Sequence, residues 1–242
     1  MKHPDYQSVN YVMNLLRVHG IESRKVPEGR KKSCDIVAWY RDQHFYIEVK
    51  ERSDPKVPGR FVVRKGWRSS LHKQIEGAAK QLLSMPDRRG IYRIVWMVIA
   101  AADDDQFLTT GVIHTLYGIQ RVSLRRGDWK YETDCLFYRH SPFRKWPSLD
   151  LAVIQTKLGL IFCLNPHSIH YGKIKRSRIF KLPKRLDGVV EPILAEKNGC
   201  CIIAEKGTDE MERGRRTLRK YGCDSLTCIG EELVMDSRTI RF

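Results

Sequence analysis

Three residues have the types and the spacing that suit hydrolytic chemistry: Asp35, Glu48 and Lys50. Two carboxylates that lie close together raise each other's pKa, and a divalent cation between them removes the conflict. Mg²⁺ is typically held by one or two carboxylates, by water and by a substrate phosphate. A lysine beside the cation could orient or deprotonate the attacking water. These residues therefore predict phosphodiester hydrolysis, provided that the fold brings them together.

A β-hairpin is the element expected to do so. Segments 33–40 and 43–50 are rich in β-branched and aromatic residues, and the polar pair Arg41-Asp42 separates them. With the turn at this pair, the aspartate would lie opposite the glutamate, with Cβ atoms about 5 Å apart. Strand side chains alternate between faces, so the glutamate and the lysine share one face. The alternative is an exposed cross-strand acid pair with a solvated lysine at the sheet edge.

The surrounding sequence predicts the element order α-β-β-β-α-β. Gly20 ends an apolar stripe of helical spacing, and a nearly continuous apolar run predicts a strand buried on both faces. The hairpin supplies the second and third strands. The other predicted elements are a helix from Asp5 or Ser8 to Gly20, a strand over 21–26, a helix from Ser69 or Ser70 to Ser84, and a strand over 92–100.

Asp35 followed after twelve residues by Glu48-Val49-Lys50 resembles the signature of the PD-(D/E)XK nuclease superfamily, which includes restriction endonucleases and archaeal Holliday-junction resolvases. The resemblance covers roughly residues 7–100. It implies an α/β fold with a restriction-endonuclease-like α-β-β-β-α-β core and a mixed sheet. It also implies that Asp35 and Glu48 bind Mg²⁺ or Mn²⁺, and that Lys50 positions or activates water.

The same resemblance points to further positions around the site. Members often carry a glutamine or lysine on the helix after the E-x-K strand, and Gln74 matches that position best; an ordinary solvated helix face is the alternative. Cys34 stands where the signature has proline. Many members also have an acidic residue on the first helix, where this chain has Gln7 and Asn10, so a further metal ligand is not identified.

Charge predicts the class of partner. The 242 residues include 44 Lys and Arg against 28 Asp and Glu, which gives a net charge of +16 and a pI near 9.7. A field of this sign favours a polyanion. No apolar run approaches the ~20 residues of a membrane-spanning helix, and residues 1–5 lack an apolar signal core. We therefore expect a cytoplasmic protein that does not use a membrane.

Basic residues outside the hairpin are the candidate nucleic-acid contacts, because guanidinium and ammonium groups bind phosphates. Residues 1–165 are predicted to form the nuclease-like core and residues 166–242 a basic, β-rich C-terminal extension or subdomain. A solvated surface is the alternative explanation for these charges. The candidates are Lys73, Arg126, Arg144, Lys173, Lys175, Arg176, Arg178, Arg215 and Arg216.

Together these patterns predict a Mg²⁺-dependent deoxyribonuclease, as an endonuclease in preference to an exonuclease. DNA is the expected substrate and RNA is not excluded, because both present phosphates. Cutting both strands of a duplex would suit a homodimer. The alternative function is a nucleic-acid-binding module that keeps the nuclease fold without hydrolysis, since the first helix lacks the usual carboxylate.

Overall fold

The computed structural model describes residues 4–27, 33–52, 67–87, 90–100 and 105–229. In chain order the elements are α1 (Pro4–Val18), β1 (Glu22–Lys25), β2 (Ile36–Tyr40), β3 (Gln43–Arg52), α2 (Trp67–Leu83), β4 (Ile91–Ile99), α3 (Asp105–Tyr117), β5 (Gln120–Arg126), β6 (Trp129–Leu136), α4 (Pro142–Lys145), β7 (Leu151–Thr156), β8 (Gly159–Leu164), α5 (Tyr171–Ile174), a 3-10 helix (Ile179–Lys181), β9 (Lys184–Val190), α6 (Pro192–Lys197), β10 (Cys201–Ile203), α7 (Glu210–Tyr221) and β11 (Ser225–Cys228).

The chain folds into two compact units. The first comprises Met1–Leu116 and Pro142–Val190, and the second comprises Tyr117–Ser141 and Glu191–Phe242. Among the helices that the structure describes, none has both the length and the apolar character needed to cross a bilayer.

A seven-stranded mixed sheet forms the centre of the first unit, in the order β1-β2-β3-β4-β7-β8-β9. The strands β1, β2 and β3 pair antiparallel, whereas β4 runs parallel to both β3 and β7. Parallel neighbours need a crossover connection, and α2 lies in the chain between β3 and β4. The predicted α/β class, the mixed sheet and the order α-β-β-β-α-β over α1 to β4 are therefore observed.

The two faces of β3 have different roles. Phe45, Ile47 and Val49 are buried in one apolar cluster with Val12 and other residues of α1. Because side chains alternate along a strand, Glu48 projects from the opposite face. The packing of α1 thus fixes which face of the strand carries the acidic residue.

From Ile36/Ile47 to Tyr40/Gln43 the hairpin has the predicted register, but Asp35 precedes β2, so the predicted ladder pair of Asp35 with Glu48 is not part of it. Its two-residue turn is Arg41-Asp42, and Tyr40 pairs with Gln43. Arg41 adopts a φ of 54°, a left-handed conformation that is uncommon outside glycine. The sequence also predicts strands over 149–155 and 158–164, and these are observed as β7 and β8. Segment 110–124, whose sequence is compatible with either a helix or a strand, contains the end of α3 and most of β5.

The second unit contains a four-stranded sheet in the order β10-β6-β5-β11. Its buried cluster includes Val122, Leu124, Cys135 and Ile202, and Leu218 of α7 packs against it. The helix α7 begins after Asp209, whose carboxylate accepts a hydrogen bond from the Glu212 amide, and ends at Gly222 in a left-handed conformation. Both are ordinary helix ends.

This division of the chain differs from the predicted boundary at 165/166. The strand β9 pairs with β8, so residues 166–190 belong to the first unit and not to a C-terminal extension. The β5–β6 hairpin belongs to the second sheet although it precedes β7 in the chain. The described part of 166–229 also contains α5, the 3-10 helix, α6 and α7 beside three strands, so it is mixed and not β-rich.

Candidate active site

Backbone hydrogen bonds hold Asp35 against β3. Its amide donates to the Ile47 carbonyl at 3.1 Å, and its carbonyl accepts from the Val26 amide at 2.9 Å. The side chain is fixed as well, because the Val49 amide donates to Asp35 Oδ2 at 2.8 Å. Asp35 lies in a bend just before β2 begins. The carboxylate is therefore directed at the part of β3 that carries Glu48.

Glu48 is fully buried, with a side-chain exposure of 0%. Its Oε1 accepts a hydrogen bond from Lys50 Nζ at 2.6 Å. Its Oε2 is also buried and has no hydrogen-bond partner among the described residues. Burial, followed by the charge of Asp35, raises the pKa of Glu48 to about 7, although Lys50 acts in the opposite direction. The structure thus brings the two acids and the lysine together.

These features make Glu48 an unusual group in a folded protein. Buried carboxylate oxygens are normally satisfied, because leaving one without a partner costs free energy. A divalent cation would satisfy the remaining oxygen and offset the repulsion from Asp35. Carboxylate oxygens are the donors that Mg²⁺ and Mn²⁺ prefer. The donor set therefore fits such a cation, with Asp35 and Glu48 as its protein ligands. We call Asp35, Glu48 and Lys50 the acid site.

Cys34 is a further residue of this environment that the sequence did not assign to it. It is 1% exposed, and its Sγ donates to the Ile36 carbonyl at 3.4 Å. Burial, Glu48 and Asp35, in that order, raise the pKa of the thiol to about 12. The thiol is therefore neutral and acts as a small apolar group beside the two carboxylates. The sequence signal that could have identified Cys34 as part of this site is its position, where the motif usually has proline.

The helix α2 lies along β3. Arg52 at the end of β3 donates to Ser70 Oγ at 3.3 Å, and Gln81 donates to the Ser33 carbonyl at 3.4 Å. At about 100° per residue, Ser70, Gln74 and Gln81 share one helix face. Gln74 therefore lies between the two points at which α2 is held. Its Oε1 is buried without a hydrogen-bond partner among the described residues, whereas the adjacent Lys73 is exposed.

The first helix contributes nothing comparable. Gln7 and Asn10 are exposed. Ser8 lies between them and donates a hydrogen bond to the Glu51 carboxylate. Glu51 is odd-numbered on β3, so it shares the α1 face of the strand and not the face of Glu48. The further ligand sought on this helix is not found among its described side chains.

The predicted nucleic-acid contacts fall into both units. In the first unit, Lys73, Lys173 and Arg176 are exposed, whereas Arg144, Lys175 and Arg178 are half-buried. In the second unit, Arg126, Arg215 and Arg216 are exposed.

Two cavities involve some of these cations. Arg176 and Arg178 line a pocket of about 220 Å³ beside the β2–β3 turn, with Arg41 and Lys181. These last two residues were not among the predicted contacts. Arg215 and Arg216 line a separate cavity of about 340 Å³ along α7. Arg216 forms an ion pair with Glu212 at 2.5 Å, which reduces the charge available to a ligand there.

Comparisons with known proteins leave the family open. No protein-family profile matches the chain, and no curated protein matches it. A solved structure that matches is AF1548, a protein of unknown function, with 15% sequence identity and a TM-score of 0.28. The match covers 44% of this chain and 54% of AF1548, about half of that protein's length. A likeness this weak carries no argument about fold or function.

Proposed function

We propose that the protein is a nuclease that hydrolyses DNA phosphodiester bonds at the acid site, with Mg²⁺ or Mn²⁺ bound by Asp35 and Glu48. The observation that supports this most is the buried Oε2 of Glu48, which receives no hydrogen bond from a donor among the described residues. It belongs to a carboxyl group that interacts with the Asp35 side chain and is held at Oε1 by Lys50. The resemblance to the PD-(D/E)XK signature, with its restriction-endonuclease-like core, gives independent support.

Each residue has a definable task in this reaction. Asp35 and Glu48 supply oxygen ligands, and the hydrogen bond from the Val49 amide keeps Asp35 oriented before any ligand arrives. A bound divalent cation would neutralise charge on the phosphate and lower the pKa of a bound water. Lys50 is 27% exposed, so its ammonium group can reach solvent and hold a water molecule or a phosphate oxygen. Gln74 offers an amide oxygen from α2 that can orient water.

Protonation of Glu48 should control when the site works. With a pKa of about 7, the carboxyl group keeps its proton in mildly acidic solution. A protonated carboxyl group is a poor ligand, so a cation must displace this proton. Activity and cation affinity should therefore rise with pH through neutrality.

The excess of positive charge favours a nucleic-acid substrate, because cations that neutralise phosphates supply most of the non-specific affinity. DNA is the proposed substrate, and RNA would be distinguished by assay. An endonuclease is favoured over an exonuclease, and a homodimer would allow cleavage of both strands of a duplex. The cytoplasm is the compartment proposed for this activity.

Plasmid cleavage tests the proposal. Purified protein is incubated with supercoiled plasmid and Mg²⁺ or Mn²⁺, beside Asp35→Ala, Glu48→Gln and Lys50→Ala. Glu132→Gln, which removes an exposed carboxylate from β6, is the matched control. We expect cleavage by the wild type and the control alone, with DNA binding retained in all variants. Equal cleavage by Lys50→Ala and wild type would contradict the assigned site.

The second candidate is a nucleic-acid-binding module without hydrolysis. It is favoured by the composition of α1, whose described side chains, 7–18, include no carboxylate. A wild-type protein that binds DNA but leaves plasmid intact with either cation would support this module. Calorimetric titration with Mn²⁺ adds a second readout, because an inactive module that has lost the metal would release no heat at the acid site.

A further inference from the structure

A second group of charged residues lies at the other end of β3, beside the hairpin turn. It lines the pocket of about 220 Å³ and consists of Tyr40, Arg41, Asp42, Gln43, Arg176, Arg178 and Lys181. We call it the turn pocket. All seven residues belong to the first unit.

The turn pocket holds more positive charge than its own residues neutralise. Four cations face one carboxylate, that of Asp42. Among the described residues, no ion pair links Arg41, Arg176 or Lys181 to any carboxylate. Like charges gathered around one cavity repel each other, and an anion bound between them would remove that cost.

Part of the pocket is rigid before any ligand binds. Arg178 donates from Nε and Nη2 to the His19 carbonyl at 3.2 and 2.9 Å, and its backbone amide donates to Gln43 Oε1 at 2.8 Å. The guanidinium carbons of Arg178 and Arg41 lie 5.3 and 5.4 Å from the centre of the Tyr40 ring. Cation–π contacts of this kind hold a guanidinium in place. Arg178 and Tyr40 thus form a fixed wall.

We infer that the turn pocket binds one phosphate group of the nucleic acid, with Arg41, Arg176 and Lys181 as the contacts and Arg178 as a positioning residue. Guanidinium groups match the geometry of phosphate oxygens. A pocket lined by three cations that form no ion pair with a described carboxylate suits a compact anion better than a flat surface does. The inference rests on the proposed function for the identity of the polymer, but not for the binding of phosphate itself.

The position of the pocket makes it distinct from the acid site. Gln43 and Glu48 are five residues apart on β3, which corresponds to about 17 Å along an extended strand. The phosphate bound here is therefore not the one that is cleaved. It belongs to a neighbouring internal phosphodiester or to a terminal phosphate of the same molecule.

The test measures binding without cleavage, in EDTA, by fluorescence anisotropy with a labelled single-stranded DNA that carries a 5′-phosphate or a 5′-hydroxyl. The variant Arg176→Ala/Lys181→Ala removes two exposed cations, and Lys206→Ala/Lys130→Ala removes two exposed cations elsewhere. We expect the pocket variant to bind about tenfold more weakly, with a shallower salt dependence, because one phosphate contact is lost. The control should lose much less affinity.

Asp42→Asn provides a test of opposite sign. It removes the one carboxylate of the pocket without changing its shape, so it should bind DNA as tightly as the wild type or more tightly. If Asp42→Asn acted only by loosening the β2–β3 turn, it would instead weaken DNA binding. Equal losses in the pocket variant and the two-lysine control, or weaker binding by Asp42→Asn with an unchanged thermal midpoint, would overturn the inference.

The two DNA probes identify the source of the phosphate. A preference for the 5′-phosphorylated strand that disappears in the pocket variant indicates a terminal phosphate. Equal binding of both strands, with equal losses in the variant, indicates an internal phosphodiester. Plasmid cleavage with Mg²⁺ is scored separately: a wild type that binds through the pocket but does not cleave would refute the proposed nuclease and leave the pocket standing.

Discussion

The two ends of β3 adjoin two sites that differ in charge and in burial, the acid site and the turn pocket. In the acid site Glu48 is fully buried, its pKa is raised to about 7, and its Oε2 has no donor among the residues that the structure describes. The turn pocket places Arg41, Arg176 and Lys181 at exposed positions, around a cavity that they share with one carboxylate. The two ends of one strand thus adjoin a buried acid whose charge depends on its ligand and a group of exposed cations.

Burial is the reason for the difference. Removing a carboxylate from water penalises its charged form, so Glu48 favours the protonated form until a cation binds beside it. The exposed cations of the turn pocket are in contact with water, so salt screens their interactions. The acid site should therefore respond to pH and to divalent metal, and the turn pocket to ionic strength.

The largest effect should follow from loss of the lysine in the acid site. Lys50→Ala removes the ammonium group that can position water, and it also leaves Glu48 Oε1 without its partner. Loss of a positioned proton-transfer group commonly costs about 100- to 10,000-fold in rate. We expect a loss of this size in single-turnover cleavage with Mg²⁺, while DNA affinity in EDTA changes by less than about threefold.

Lys80→Ala is the matched control, because it removes an exposed lysine from α2 that is not among the candidate nucleic-acid contacts. A similar rate loss in both variants would mean that bulk positive charge, and not the hydrogen-bonded position of Lys50, supports cleavage.

The salt dependence of DNA affinity should be the next largest difference between variants of the turn pocket and variants of the acid site. DNA affinity of the wild type should fall at least about tenfold between about 50 and 200 mM salt, since phosphate contacts release counterions. The slope of log affinity against log salt should decrease by about one in Arg176→Ala/Lys181→Ala. Glu48→Gln should keep the wild-type slope. An unchanged slope in the pocket variant would show that those cations do not contact phosphate.

The pH dependence of stability should identify the buried carboxyl group. Glu48 has a pKa of about 7 when folded, against an ordinary value of 4.5, so the folded protein holds a proton that the unfolded chain releases. Its contribution to the free energy of unfolding is full below pH 4.5 and is lost as the pH rises through 7. Relative to Glu48→Gln, the metal-free wild type should lose about 3 kcal/mol across this window.

Chemical denaturation at pH 5 and pH 8 measures this difference. Mn²⁺ should restore the stability of the wild type at pH 8 but not that of Glu48→Gln, because a ligand that binds the folded state stabilises it. A constant gap between the two proteins at both pH values would mean that Glu48 ionises normally.

Local patterns predicted much of the first unit, because neighbouring residues decide hairpins and amphipathic helices. The turn at Arg41-Asp42 fixed the register of the hairpin, and alternation then placed Glu48 and Lys50 on one face. The unit boundary was missed because it depends on pairing between distant strands. Nothing local in 184–190 shows that this strand joins β8 in one sheet.

The turn pocket shows the same limit. Arg41 and Lys181 are 140 positions apart in the sequence, and only the packing of the segment after α5 against the hairpin turn brings them to one cavity. The buried oxygens of Glu48 and Gln74 that have no partner within the described ranges could not be predicted either, because a sequence shows which groups are polar but not which are buried without a partner.

The smallest effect should come from Cys34, which touches the acid site without taking part in its chemistry. Cys34→Ala removes a buried sulfur and leaves a small void, so we expect a destabilisation of about 1 kcal/mol. Cleavage should change by less than about threefold, because a thiol with a pKa of about 12 is neutral and is neither a ligand nor a nucleophile at neutral pH.

Alkylation followed by mass spectrometry offers a direct check: at pH 8 the exposed Cys200 and Cys228 should react while Cys34 stays unmodified. Rapid alkylation of Cys34 in the folded protein would mean that the carboxylates beside it are hydrated, and the contrast between a buried acid site and an exposed turn pocket would fail.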